Sequence, residues 1–94
     1  MRLTPLTETG QSCRAWLHVS FAQVLAVLGP DNVTDEDDED SVGAAWAFRD
    51  EQGREGYVWA FGYRRGQAQA CNRFSLDGSL ELLGELFPGL VEER

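Results

Sequence analysis

Aromatic and small residues alternate over residues 57–63, and this alternation constrains the fold more than any other feature of the sequence. A period of two residues is typical of a β-strand, because successive side chains point to opposite faces of a sheet. One face of the predicted strand carries Tyr57, Trp59, Phe61 and Tyr63, and the other carries Val58, Ala60 and Gly62. We therefore expect this segment to lie within a sheet.

The clearest helix signal lies between Ser20 and Pro30. Ser20 can cap a helix, and Gln23 stands three residues later, as a capping box requires. Gly29 and Pro30 end the helix, because glycine adopts the left-handed cap and proline cannot continue the hydrogen-bond ladder. Apolar residues at helical spacing form one stripe, made of Phe21, Val24, Leu25 and Leu28.

The rest of the chain supplies further strands and one more helix. Residues 1–11 are polar and are expected to form a loose arm or a short edge strand, and residues 31–43 form an acidic loop. Strand patterns cover residues 12–19 and 44–49 and, more weakly, 68–75, and Ser79 can cap a final short helix. The 94 residues predict a single two-layer α+β domain in the order β-α-β-β-β-α. Its antiparallel sheet would have three to four strands, with two helices on one face.

Two interpretations stay open for each face of the sheet. Trp46 and Phe48 are expected to share a face with Trp59 and Phe61, either as core or as an open stacking platform for ligands or single-stranded bases. The core is favoured, because so small a domain needs large side chains to bury and a platform also requires a cationic groove. The opposite face is either covered by the arm or open for a homodimer or a bound partner, and it holds Ala45, Ala47, Val58, Ala60 and Gly62.

Nearly all of the net charge lies in one loop. Sixteen acidic residues and eight arginines, with no lysine, give a formal net charge of -8. A run of acidic residues is either a solvated loop or a binding surface for a basic partner, because its carboxylates repeat negative charge much as a phosphate backbone does. The same charge argues against direct binding of nucleic acid or of an anionic membrane. Seven of the acids fall within residues 31–40: Asp31, Asp35, Glu36, Asp37, Asp38, Glu39 and Asp40.

No motif in the sequence points to an enzyme. The acidic loop lacks the glycine and the glutamate that a dedicated calcium loop needs. Zinc requires three or four cysteine or histidine ligands, and the chain has only Cys13, His18 and Cys71, which are scattered. Cys13 and His18 fall on opposite faces of their predicted strand, so they cannot form a nucleophile pair there. We expect no catalytic residue, no metal and no cofactor.

The sequence shows no targeting or membrane-spanning segment. Residues 1–10 contain one arginine and no apolar run. The longest apolar stretch, Val24–Leu28, is far shorter than the ~18 residues that cross a bilayer. These observations predict a cytoplasmic protein.

From Phe21 to Tyr63 the sequence resembles a class of small acidic phage and prophage proteins. The shared elements are a helix end at Leu28-Gly29-Pro30-Asp31-Asn32, the acidic run, a strand with Trp46, the turn Asp50-Glu51-Gln52-Gly53 and an aromatic strand at Val58-Trp59-Ala60-Phe61-Gly62-Tyr63. This class includes inhibitors of bacterial defence, among them anti-CRISPR proteins and DNA mimics. For this chain the resemblance implies an inhibitor that acts in the cytoplasm of a host cell.

Charge and resemblance together predict a non-enzymatic binding protein that blocks a nucleic-acid-handling protein complex. Its partner would present a basic surface to the acidic residues of the loop at 31–40. The alternative is a structural or protein-interaction module that forms a homodimer through the small, flat sheet face.

Overall fold

The computed structural model describes residues 1–33 and 41–94, which form an α+β fold with two helices and a six-stranded antiparallel sheet. The elements in chain order are β1 (Leu3–Pro5), β2 (Ala15–Leu17), α1 (Phe21–Leu28), β3 (Val42–Asp50), β4 (Glu55–Phe61), β5 (Phe74–Gly78), α2 (Leu80–Leu86) and β6 (Val91–Glu93). The predicted α+β class and the two helices are confirmed. The prediction of three to four strands was too low. β1 is the short edge strand that was one alternative for residues 1–11, and β6 is three residues long and too short to show a period of two.

Helix α1 begins and ends as predicted. The Ser20 hydroxyl accepts a hydrogen bond from the Gln23 N–H (3.2 Å), and Gln23 Oε1 accepts one from the Ser20 N–H (2.8 Å), which completes the capping box. Gly29 follows with a φ of 76°, a conformation that glycine adopts without steric cost. The apolar stripe is buried only in part, since Val24 is fully buried and Leu25 is 39% exposed.

The register of the β3–β4 hairpin corrects the predicted sheet faces. Trp46 lies opposite Val58, whereas Trp59 lies opposite Ala45. Trp46 and Trp59 therefore point to opposite faces, although they were expected to share one. A slip of one residue between two strands exchanges their faces, and each strand pattern by itself carries no information about that slip.

One core cluster joins one face of the sheet to both helices. Phe21, Trp46 and Phe74 lie together with ring centroids 5.8 to 6.5 Å apart, and the Trp46 Nε1–H donates to the Gly29 carbonyl (2.8 Å). Val58 and Ala60 belong to this core, so the small, flat face proposed for a homodimer is not formed as predicted. The helices contribute Val24, Leu82 and Leu83 to the cluster, and the strands contribute Ala15, Leu17, Ala44, Trp46, Phe48, Val58, Ala60, Phe74 and Leu76. The two-layer arrangement remains a prediction.

Strand β5 begins later in the chain than the pattern over residues 68–75 predicted. Residues before it form turns, in which the Gln67 N–H donates to the Arg64 carbonyl (2.9 Å) and the Cys71 N–H to the Ala68 carbonyl (2.9 Å). Ala68 and Cys71 are nevertheless buried in the core. Their apolar character therefore reflects packing of a turn rather than a strand.

The strands lie in the order β1-β3-β4-β5-β2-β6. Consecutive strands of the β3-β4-β5 meander are adjacent, as predicted. β1 pairs with β3 on one side of the meander, and β2 lies on the other side between β5 and β6. The strand predicted over residues 12–19 is confined to Ala15–Leu17. Residues 6–14 connect β1 to β2 and therefore have to cross the sheet.

Candidate binding cleft

Residues 6–14, the crossing segment, pass over the sheet face that points away from the core cluster. We call this the second face; it contains the buried Ala45 and Ala47, with Tyr57 and Trp59 packed beside them. Leu6 packs on the same residues, and its N–H donates to the Ala47 carbonyl (2.8 Å). The N-terminal arm thus covers Ala45 and Ala47, which is one of the two outcomes that the sequence left open.

Gly10 and Asp77 hold the crossing segment close to the second face. A Cβ atom at Gly10 would lie 2.8 Å from Trp59 Cζ3 and 2.8 Å from Asp77 Cβ, so only glycine fits without a shift. Asp77 Oδ2 accepts hydrogen bonds from the backbone N–H groups of Gln11 (2.8 Å) and Ser12 (3.1 Å). Burial by itself would raise the pKa of Asp77, but these backbone hydrogen bonds outweigh it and the pKa is lowered. The ionised carboxylate therefore fastens the segment to β5.

A cleft of about 500 Å³ opens on the second face beside the crossing segment. Its floor is a cross-strand row in which Trp59 of β4 lies opposite Ser75 of β5, and Ser75 lies opposite Trp16 of β2. Neighbouring strands are ~4.8 Å apart, so the backbones that carry the two indoles are about 10 Å apart. Ser75, which lies between them in this row, has a small side chain. The other described lining residues are Thr9, Gly10, Gln11, Cys13, Ser41, Val42, Phe61, Arg73 and Arg94.

Two arginines flank Trp16 in the cleft. The guanidinium carbons of Arg73 and Arg94 lie 5.1 and 5.8 Å from the centroid of the Trp16 ring, within the range of cation–π attraction. The Arg94 guanidinium also donates to the Cys13 carbonyl (3.1 Å). Within the described part of the chain, neither arginine pairs with a carboxylate and no acidic residue lines the cleft. The described lining of the cleft therefore carries positive charge on a chain of net charge -8, and Glu92 of β6 lies opposite Trp16 next to it.

A second cavity, of about 660 Å³, adjoins the cleft, and Phe61 and Arg73 line both. Phe61 is 66% exposed, which is unusual for so large an apolar side chain. His18 lies at the far side of this cavity, with its Nε2 atom 3.6 Å from a carboxylate oxygen of Glu92.

Of the seven predicted partner-binding residues, the structure describes Asp31, which is exposed. Ser41, the residue directly after Asp40 in the sequence, lines the cleft. The acidic run and the cleft are therefore adjacent along the chain. The other six predicted residues lie outside the described ranges: Asp35, Glu36, Asp37, Asp38, Glu39 and Asp40.

The buried Cys71 is not an activated nucleophile. Cys13 and Cys71 are free thiols, and Cys71 is buried. Burial raises the pKa of the Cys71 thiol, and the hydrogen bonds that it makes do not reverse this shift. A thiol whose pKa is raised is seldom ionised and is a poor nucleophile. Over residues 1–33 and 41–94, no three histidine, cysteine or acidic side chains come together in a way that could hold a metal ion.

A second group of charges lies at the β3–β4 turn and stabilises the hairpin. Asp50 Oδ2 accepts a hydrogen bond from Arg54 Nε (2.7 Å), and its Oδ1 accepts from the backbone N–H groups of Gln52 (3.0 Å) and Arg54 (2.8 Å). Burial would raise the pKa of Asp50, but the bonds from Arg54 and Gln52 lower it. Arg54 also pairs with Glu85 of α2 (2.7 Å) and so connects the turn to that helix. These groups satisfy one another and leave no open binding position.

Sequence reasoning did not find the cationic groove that accompanies the aromatic residues. The acidity of the whole chain argues against a stacking platform, yet Arg73 and Arg94 place two positive charges against Trp16. Net charge is a sum over the whole chain, so it does not report the charge of one cleft. Neither arginine belongs to a pattern that could have singled it out.

No protein-family model, curated protein or solved structure matches this chain. Among the residues that the structure describes, no helix is long and apolar enough to cross a membrane.

Proposed function

We propose that this protein is a non-enzymatic, phage-type inhibitor that binds a basic surface of a nucleic-acid-handling protein complex through residues 31–40. The observation that carries the proposal is the concentration of charge. Seven of the sixteen acidic residues lie in these ten positions, and the remaining 84 residues have a balance of -1. A surface lined by arginine and lysine that accepts a phosphate backbone would attract such a segment at long range.

The start of this segment is attached to β3 by Asn32 and Val33. The Asn32 side-chain amide donates to the carbonyls of Leu6 and Ala47 (2.9 Å each), and its oxygen accepts from the Ala47 N–H (3.2 Å). Val33 is buried, and its N–H donates to the Ala45 carbonyl (3.2 Å). These contacts hold Asn32 and Val33 against β3, just before the consecutive acidic residues that begin at Asp35.

The end of the segment is attached to the same pair of strands. The Ser41 carbonyl accepts a hydrogen bond from the Gly62 N–H (2.7 Å), directly after β4, and β3 begins at Val42. Both ends are thus held by the β3–β4 hairpin. Fixed ends reduce the entropy that a loop loses when a partner binds it, which favours binding by this segment.

The homodimer alternative has less support, since the face on which it was predicted is divided between the core and the arm. Val58 and Ala60 are buried in the core cluster, and Leu6 packs against Ala45 and Ala47. The oligomeric state, monomer or homodimer, is not decided by these contacts, and light scattering measures it directly.

The proposal is tested by neutralising Asp35, Glu36, Asp37 and Asp38 to Asn or Gln. The readout is inhibition of DNA binding by a panel of purified RNA-guided nuclease complexes. The wild type is expected to inhibit at least one complex, with slower association as salt is added, and the quadruple variant is expected to lose the inhibition. Salt acts in this way because it screens the long-range attraction over ~8 Å at physiological ionic strength.

A matched control changes the same net charge elsewhere. Glu8, Glu51, Glu81 and Glu93 are exposed, and their replacement by Gln removes four negative charges outside residues 31–40. This control variant should still inhibit. If the two quadruple variants inhibit equally well, or if the wild type inhibits no complex in the panel, this proposal is wrong.

A further inference from the structure

We propose that the cleft between Trp16 and Trp59 binds a nucleoside monophosphate, that is, a small anion that carries a planar ring. The cleft volume of about 500 Å³ is within the range of small-molecule sites, which is ~300 to 1,000 Å³. This proposal uses none of the acidic residues of the proposed function, and the ligand would have the opposite charge to their partner.

The polar groups of the cleft favour an anion that accepts hydrogen bonds. The guanidinium groups of Arg73 and Arg94 donate only, and a planar fork of N–H groups suits phosphate oxygens. Ser75 is 9% exposed on the floor of the cleft, and its hydroxyl forms no hydrogen bond with another described residue. The Trp16 indole N–H likewise has no acceptor among those residues. A phosphate group would supply acceptors that the described residues do not.

The shape of the cleft favours a planar ring. The backbones of Trp16 and Trp59 are separated by two strand spacings, about 10 Å, with the small Ser75 side chain between them, and all three residues line the cleft. An inserted ring can lie against an aromatic face, an arrangement that nucleobases adopt on many proteins. Phe61, which is 66% exposed at the rim, offers a further ring to the base.

The charge around the cleft favours a single nucleotide over a nucleic acid strand. Arg73 and Arg94 pair with no carboxylate of residues 1–33 and 41–94, so together they can compensate the charge of one phosphate group. A strand would carry further phosphates along a chain of net charge -8, and Ser41 on the cleft wall directly follows six consecutive acidic residues in the sequence. Each added phosphate therefore adds repulsion.

The test is a titration of ¹⁵N-labelled protein with AMP and UMP, followed by NMR of the three tryptophan indole N–H signals. The Trp46 indole is buried and bonded to the Gly29 carbonyl, so its signal serves as an internal reference. We expect the Trp16 and Trp59 signals to shift with saturation at millimolar nucleotide or below, while the Trp46 signal stays in place. Adenosine and inorganic phosphate, added separately, are expected to bind at least about tenfold more weakly than AMP, because each lacks half of the recognised groups.

Two variants and their controls assign the binding to the cleft. Arg73→Gln should weaken AMP binding about tenfold or more, because it removes a charged hydrogen-bond donor to the phosphate. Phe61→Ala should weaken it about fivefold, because it removes a ring on which the base can stack. The controls are Arg2→Gln, an exposed arginine on the opposite edge of the sheet, and Val27→Ala, a 42% exposed apolar residue on α1. Both controls should bind AMP as the wild type does.

Several results would overturn the proposal. They are the absence of any shift at 10 mM nucleotide, adenosine or phosphate binding as tightly as AMP, and equal effects of the variants and their controls. A dT₁₀ oligonucleotide that binds more than tenfold tighter than UMP would also overturn it, in favour of a single-strand binding surface.

Discussion

Replacing Gly10 with alanine tests whether the crossing segment lies where the structure places it. The added Cβ atom would approach Trp59 Cζ3 and Asp77 Cβ to 2.8 Å and Tyr57 Cβ to 3.0 Å, whereas carbon atoms in contact prefer ~3.5 to 4.0 Å. Two of these neighbours are Cβ atoms next to strand backbone, so they cannot rotate away. The crossing segment itself has to move by several tenths of an ångström.

The expected cost follows from two opposing effects. Overpacking of this kind costs about 1 to 3 kcal/mol. Alanine also restricts the unfolded chain and so returns about 0.4 to 1 kcal/mol. The net expectation is a loss of about 1 to 2 kcal/mol in the free energy of unfolding, or about 5 to 10 °C in melting temperature for a domain of this size.

Gly84→Ala is the matched control, since a Cβ atom at this position in α2 would meet no atom within 4 Å. Alanine is the better helix former, so this variant should gain about 0.5 to 1 kcal/mol. Urea denaturation followed by circular dichroism measures both variants. If Gly10→Ala is as stable as Gly84→Ala, the crossing segment does not lie against Trp59 and Asp77. Thr9, Gly10 and Gln11 would then not line the cleft.

Three further predictions follow from the described contacts. Asp77→Asn removes the charged acceptor of the Gln11 and Ser12 backbone N–H groups. Hydrogen exchange should show faster exchange of these two amides with solvent. Urea denaturation should show a loss of about 2 kcal/mol in the free energy of unfolding. The pKa of Asp50 is lowered in the folded protein, so the ionised carboxylate stabilises the fold at pH values above its ordinary pKa of 3.8. This stabilisation is lost as the pH falls below 3.8. The Asp50→Asn variant should therefore lose stability less steeply in acid than the wild type does. Leu82→Ala, at a fully buried position, should cost about 2 to 5 kcal/mol in urea denaturation.

Each of these predictions has a result that contradicts it. Unchanged exchange at Gln11 and Ser12 would mean that Asp77 does not hold the crossing segment. An Asp50→Asn variant that loses stability in acid as steeply as the wild type would shift the acid sensitivity to other carboxylates. Leu25→Ala, at a 39% exposed position, is the control for Leu82→Ala, and equal losses would contradict the assigned core.

Local signals in the sequence were enough to predict the elements whose cause is local. The capping box of Ser20 and Gln23 and the left-handed Gly29 set both ends of α1 through bonds between near neighbours. The alternation over residues 57–63 predicted most of β4 for the same reason, since the side chains of one strand set its period.

Features that depend on how distant segments meet could not be predicted in this way. The pairing of Trp46 with Val58 rather than with Trp59 is a choice of register, and each strand has the same alternation in either register. The position of β2 between β5 and β6 depends on where short and weakly patterned strands find hydrogen-bond partners.

The cleft is the clearest case, because its groups come from positions far apart in the chain. Trp16, Trp59, Arg73 and Arg94 belong to different parts of the sheet and its edges, and none of them is close in sequence to all the others. The amino-acid sequence by itself determined the acidity of the chain and the concentration of negative charge in residues 31–40. Packing determined that a cationic, aromatic cleft forms beside them, because only the folded sheet places Ser75 between two indoles and both arginines against Trp16.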